Sequence, residues 1–144
     1  MHEVKRTAIV PYSVEKMYRL INDIECYPEF LPWCKQAEII KKGQYEMLAS
    51  LTITKGPFNQ KLTTKNILSP NQRIEMHQDE GPFACFEADW DFKALEAEAC
   101  HIDFCTKFSF RSRFLEMTMS SYFNQVANAM LDAFVDRAGQ VYAG

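Results

Sequence analysis

The feature that most restricts what this chain can fold into is a change of hydrophobic period near residue 111. Before it, segments of strand length alternate apolar and polar side chains. After it, from about Ser112 to Tyr142, there is no proline and the only interior glycine is Gly139. Leu115, Met119, Tyr122, Val126, Met130, Ala133 and Phe134, with Phe123 and Ala127 beside them, make a wide helical stripe. Thirty helical residues span roughly 45 Å. In a chain of 144 residues such a helix is expected to lie across a sheet rather than beside it.

Turn signals divide the middle of the chain evenly: Lys42-Gly43, Lys55-Gly56-Pro57, Ser69-Pro70-Asn71, Glu80-Gly81-Pro82 and Glu96-Ala97-Glu98. They separate six segments after Trp33. Tyr45, Met47, Ala49, Leu51 and Ile53 share one face of the second, Ala88, Trp90 and Phe92 one face of the fifth, and Ile102, Phe104, Thr106, Phe108 and Phe110 one face of the last. Period-two alternation with tight connections predicts an antiparallel meander with one buried and one wet face.

Upstream, Val10-Pro-Tyr-Ser13 leaves a first strand and enters a helix. Ser13 is suited to cap it, Glu15 favours its dipole, and Val14, Met17, Tyr18, Leu20, Ile21 and Ile24 recur on one face. Pro28 is expected to open a second short helix that Pro32 closes. Tyr27, Phe30, Leu31 and Trp33 are then crowded on a turn, where polar residues are usual, so the turn is expected to cover something apolar. The whole chain reads as one domain, residues 1–144, of α+β class: a curved seven-stranded antiparallel sheet wrapped around a long C-terminal helix, with two short helices after strand 1. A curved sheet cannot press flat on a helix along its length, and the gap is the expected site of an apolar cavity. Tyr27, Phe30, Leu31, Trp33, Phe58, Phe83, Trp90, Phe108, Met119, Tyr122, Phe123 and Met130 are the residues expected to line or lid it.

The five cysteines (Cys26, Cys34, Cys85, Cys100, Cys105) are odd in number and include no CxxC pair, so reduced thiols packed as small hydrophobes are expected. His2, His77 and His101 have no metal-ligand spacing. No nucleophile–base order, phosphate loop or nucleotide fingerprint is present, and alternation sends His77 and His101 to the wet face. The reading is a non-enzymatic binder with no catalytic residues, no metal and no required cofactor. The first residues lack the apolar region of a signal peptide and no transmembrane run is readable, so a cytoplasmic protein is expected.

Charge is lopsided. Lys35, Lys41, Lys42, Lys55, Lys61, Lys65 and Arg73 face only Glu38 and Glu46 in their stretch; Glu75, Asp79, Glu80, Glu87, Asp89, Asp91, Glu96, Glu98 and Asp103 face only Lys93 in theirs. Solvated strand faces account for this pattern, and so would a basic surface that meets phosphate. Lys41, Lys42, Lys55, Lys61 and Lys65, with Arg111 and Arg113 at the entry to the long helix, are the candidate phosphate-contacting set. Tyr45 and Phe58 are assigned to the inner face, so no stacking platform for single-stranded RNA is expected.

Val10-Pro-Tyr-Ser13, Tyr27-Pro-Glu-Phe-Leu-Pro-Trp-Cys34, Thr63-Thr-Lys-Asn66, Glu80-Gly-Pro-Phe83 and Trp90-Asp-Phe92 together resemble the START-like, helix-grip superfamily. They are most similar to its coenzyme Q-binding and ribosome association toxin branch, also labelled oligoketide cyclase and lipid transport. The resemblance covers almost the whole chain. Lys65 stands where this group often has arginine, which keeps charge and loses bidentate geometry. The resemblance implies two roles. One is holding ubiquinone, another isoprenoid or a lipid in the cavity in support of respiration. The other is binding the large ribosomal subunit and blocking its joining with the small one. Peripheral membrane contact is compatible with the first, and DNA is not an expected partner.

Overall fold

The computed structural model describes residues 1–142. Seven strands, β1 (His2–Val10), β2 (Cys34–Lys42), β3 (Glu46–Lys55), β4 (Phe58–Ser69), β5 (Arg73–Glu80), β6 (Phe83–Glu96) and β7 (Ala99–Phe110), form one curved antiparallel sheet. The order across it is β1-β7-β6-β5-β4-β3-β2. The six later strands are thus a plain meander, and β1 returns to the free edge of β7. Two helices, α1 (Val14–Asn22) and α2 (Arg113–Tyr142), and a 3-10 helix over Ile24–Glu29 complete the chain. The expected class, element order and strand count all hold.

Local chemistry explains the boundaries. The Ser13 side chain accepts the Lys16 N–H at 3.2 Å and starts α1. Ser112 does the same for α2, accepting the Leu115 N–H at 3.3 Å. The β3–β4 turn uses Gly56 at φ 57°, and the β4–β5 turn puts Asn71 at φ 63°, the left-handed region that these two residue types tolerate best.

Three expectations need correction. The apolar face of α1 does not run on to Ile24, because the helix stops at Asn22 and the Asp23 N–H turns back to the Leu20 carbonyl at 3.3 Å. For the same reason Pro28 does not open the second helix. Asp23, at φ −85° and ψ 70°, breaks the chain first, so the 3-10 helix begins at Ile24 and carries Pro28 inside its last turn. Tyr45 is not buried: it precedes β3, lies past the covering helices and is 57% exposed. Phe58, its companion in that expectation, is buried as expected.

The core lies between the concave face of the sheet and α2. Met119, Phe123, Val126, Ala127, Leu131, Phe134 and Ala138 are the buried residues of α2. Leu115, Tyr122, Met130 and Ala133, from the same sequence stripe, are only half-buried along its margin. Trp90, Phe83, Phe108 and Phe134 are the largest fully buried side chains.

Candidate functional site

The concave face holds two aromatic clusters, one toward each end of α2. At the N-terminal end, Phe83 packs on Phe110 with ring centroids 4.8 Å apart and on Phe123 at 5.0 Å, while Phe108 meets Phe123 at 5.4 Å. Farther along, Phe134 touches Tyr27 at 5.3 Å, Phe30 at 5.2 Å and Trp90 at 5.3 Å, and Trp90 lies 4.3 Å from Phe104. Between the clusters is a cavity of about 60 Å³ with an almost wholly apolar wall.

Of the residues that the sequence nominates for the cavity, Tyr27, Trp33, Trp90, Phe123 and Met130 line it. Phe83 and Phe108 instead fill the N-terminal cluster beside it. Phe58, Leu31 and Met119 are buried away from its wall, and Phe30 and Tyr122 are half-buried outside it. The rest of the wall comes from Leu51, Ile53 and Leu62 on β3 and β4, and from Met76, Phe86, Ala88, Phe104 and Thr106 on β5 to β7. Val126, Ala127 and Phe134 close it from α2. The alternation of β3 and β7 marks several of these as inward-facing. Which of them flank the void depends on strand register, and that is not visible in a single segment.

The aromatic turn is seated rather than standing open. Tyr27 is 4% exposed and its hydroxyl donates to the Ile21 carbonyl. The Arg137 guanidinium lies 5.0 Å over the Phe30 ring and donates to the Glu29 carboxylate at 2.8 Å.

One inward feature is polar. Asn66 is fully buried on β4 between inward-facing Leu62 and Leu68, directly across from Met47 on β3 and Met76 on β5. Its Oδ1 accepts the Thr64 hydroxyl at 2.8 Å, while its Nδ2 has no hydrogen-bond partner. The sequence singles out the Thr63–Asn66 block but does not show that Thr64 and Asn66 turn inward.

The basic candidates divide among several surfaces. Lys61 and Lys65 lie on the convex face, 3.8 Å from Glu38 and 3.7 Å from Glu46 respectively, all four side chains being more than half exposed. Lys41 joins Lys65 at one shallow depression, and Lys61 joins Lys35 and Gln36 at the next. Lys42 turns instead toward α1, beside Glu15, Tyr18 and Arg19. Lys55 sits 4.6 Å over the Tyr122 ring, and Arg111 donates to the Phe83 carbonyl at 3.4 Å near the exposed Arg113. Of the candidate set, Lys41, Lys61 and Lys65 therefore share the convex face, with Lys35 beside Lys61.

Toward β5 and β6 that face becomes acidic. Arg73 donates from Nη1 to both carboxylate oxygens of Asp91, at 2.7 and 2.8 Å, and reaches Asp89 at 3.3 Å and Glu75 at 3.5 Å. These contacts raise the Arg73 pKa, whereas burial raises that of Asp89 against the pull of Arg73.

The shifted thiols are not tuned as nucleophiles. Burial pushes the Cys34 and Cys100 thiols up to about 11, and hydrogen bonding to Asp23 first, then burial, pushes Cys26 to about 12. A thiolate nucleophile needs the opposite shift. His77 lies 3.9 Å from Glu87, and His101 3.1 Å from the Thr7 hydroxyl, both on the convex face. Among the described residues no group of three or more His, Cys, Asp or Glu side chains could hold a metal, and no helix is long and apolar enough to cross a membrane.

This arrangement has known counterparts. The ribosome association toxin RatA of Pseudomonas aeruginosa is 40% identical over 139 residues, covering 96% of each chain. A mitochondrial coenzyme Q-binding protein, COQ10 homolog B of Xenopus laevis, is 25% identical over 97% of this chain and 59% of its own length. The ZhuI aromatase/cyclase from Streptomyces sp. R1128 superposes with a TM-score of 0.83 at 17% identity, covering 99% of this chain and 98% of its own, a likeness of fold alone. Residues 10–135 match the family described as polyketide cyclase/dehydrase and lipid transport, and with the helix-grip architecture and these relatives the chain belongs to that START-like family.

Proposed function

We propose that this protein is a cytoplasmic, non-enzymatic binder that associates with the large ribosomal subunit through its convex face and hinders subunit joining. The supporting observation is a division of labour. The concave side is packed down to a cavity of about 60 Å³, while Lys41, Lys61 and Lys65 stand on the convex face with no packing duty. Exposed pairs such as Lys61–Glu38 and Lys65–Glu46 add little stability, so their lysines are free to exchange a carboxylate for a phosphate. Relatives named as ribosome association toxins support the same reading across nearly the full chain. The test is a sucrose-gradient profile of mixed ribosomal subunits with added protein. The joined-ribosome peak is expected to fall and the free-subunit peaks to rise; unchanged peaks at molar excess would refute the role.

A second reading, binding of a hydrophobic ligand, is favoured by the apolar wall of the cavity and by the relative named as a coenzyme Q-binding protein. As it stands the space does not fit an isoprenoid or quinone. A dry cavity of about 150 Å³ is the scale that admits benzene. Binding therefore requires side chains to move, and Met76 and Met130 on the wall are the most adaptable available. Native mass spectrometry of protein purified from a quinone-containing host tests this reading. A stoichiometric isoprenoid or lipid supports it, and an empty protein refutes it.

A further inference from the structure

We propose that Asn66 is the polar anchor of the cavity, and that the ligand it selects is an elongated apolar molecule bearing one neutral hydrogen-bond-accepting oxygen, such as a ketone carbonyl. This inference rests on the hydrophobic-ligand reading above.

Asn66 is 0% exposed, and its Nδ2 has no hydrogen-bond partner. A buried amide donor left unpaired is costly, and native structures rarely keep one without a use. Its position gives it a use. Asn66 is the register partner of Met76, whose flexible thioether side chain forms part of the cavity wall. Met47, its partner on the other side, is equally adaptable. If Met76 swings aside, the cavity extends toward the amide and gains both length and a donor at its end.

The chemistry of the surroundings sets the ligand class. The Asn66 Oδ1 is already engaged by the Thr64 hydroxyl at 2.8 Å, which orients Nδ2 as the free group. The two hydroxyls on the cavity wall are spent elsewhere: Thr106 donates to the Glu87 carbonyl at 2.8 Å and Tyr27 to the Ile21 carbonyl. Of the fully buried side-chain atoms left without a partner, Asn66 Nδ2 is the donor on the concave side, since Ser50 lies at a convex-face depression. Among the described residues, the buried polar ones (Ser13, Ser50, Thr63, Thr64, Asn66 and Thr106) are all uncharged. A carboxylate or phosphate brought inside would find no compensating cation among them, which a buried ion requires. A neutral acceptor oxygen on an apolar body satisfies both constraints.

The test compares hexanophenone, 1-hexanol and hexylbenzene binding to the full chain, each affinity referenced to that compound's own partition from water into alkane. Trp33 and Trp90, the two tryptophans of the chain, both line the cavity, so intrinsic fluorescence reports occupancy directly. On that scale wild type is expected to prefer hexanophenone about tenfold over hexylbenzene, the scale of one hydrogen bond. Asn66→Leu should erase the preference and leave hexylbenzene bound as well or better. In wild type, the infrared carbonyl stretch of ¹³C-labelled hexanophenone should fall below its value in alkane, a readout that does not depend on the variant folding. An unshifted stretch, an unchanged preference in Asn66→Leu, or a preference for the alcohol would overturn the role of Asn66 while hexylbenzene binding kept the cavity reading alive. If neither aromatic compound binds wild type, the cavity reading fails and the anchor fails with it.

Discussion

Replacing Phe134 with alanine tests whether the aromatic turn is locked onto α2. Phe134 is 1% exposed and meets Tyr27, Phe30 and Trp90 at centroid distances of 5.3, 5.2 and 5.3 Å. Burying an aromatic side chain removes about 150–250 Å² from water, which at ~25 cal/mol per Å² is about 4–6 kcal/mol. Alanine retains part of that area. Against this, three edge-to-face contacts disappear, each worth about 0.5–1.5 kcal/mol beyond its area. Because the site also borders an existing void of about 60 Å³, collapse around the truncated side chain brings little relief. The expected loss is therefore at the upper end of the ~3–5 kcal/mol range for Phe→Ala. A domain is typically stable by about 5–15 kcal/mol, so the variant should fold but lose a third or more of its stability in urea unfolding. Amide exchange over Ile24–Trp33 should accelerate more than over β6 and β7. A loss below ~1.5 kcal/mol, under the usual span for such a truncation, with unchanged exchange over that segment, would refute the claim that Phe134 seats the turn.

Two further predictions concern charge. The Phe110 N–H at 2.9 Å and the His2 ring hold the Glu116 carboxyl below its ordinary value of 4.5. A depressed acid contributes stability above the unfolded pKa and loses it as pH falls through the folded one. Urea midpoints of wild type should accordingly drop on acidification below about pH 4.5, and Glu116→Gln should be less stable at pH 7 and flatter in acid; parallel curves would contradict this. Asp89 has the opposite sign, because burial raises its pKa. A raised acid favours the fold only while protonated, so Asp89→Asn should match or exceed wild type at pH 7, with any advantage vanishing at low pH. Asp91 and Glu75 remain to hold Arg73. A clear destabilisation at pH 7 would mean that Asp89 is a needed partner.

Most of the fold is legible in the sequence because its determinants are local. The five turn signals fall between strands, the β7 alternation survives residue by residue, and Ser13 caps the helix it precedes. The failures occur where local patterns meet tertiary context. Asp23 ends α1 before the apolar stripe does, and Tyr45 continues the inward alternation of β3 past the point where anything covers it. The site is less legible for a related reason. A void lies where several strands and a helix fail to meet, so Phe83 and Phe108, good candidates by size, fill a cluster, whereas Ala88, Ala127 and Met76 border the space. Alternation alone does not separate these cases. Lys41 and Lys42 show the limit most plainly, since adjacent residues at the end of β2 serve opposite faces of the molecule.

The most direct test of the central claim is the salt dependence of binding to purified large ribosomal subunits, for wild type and for the Lys41→Gln/Lys61→Gln/Lys65→Gln variant. Binding through phosphate contacts weakens with salt, with a log–log slope of about −0.7 to −0.9 per phosphate neutralised. The account predicts binding by wild type that falls steeply with salt, and a variant that is weaker at low salt with a slope shallower by about two to three. Equal affinity and equal slope in the two proteins would contradict it and leave the convex lysines as a solvated face.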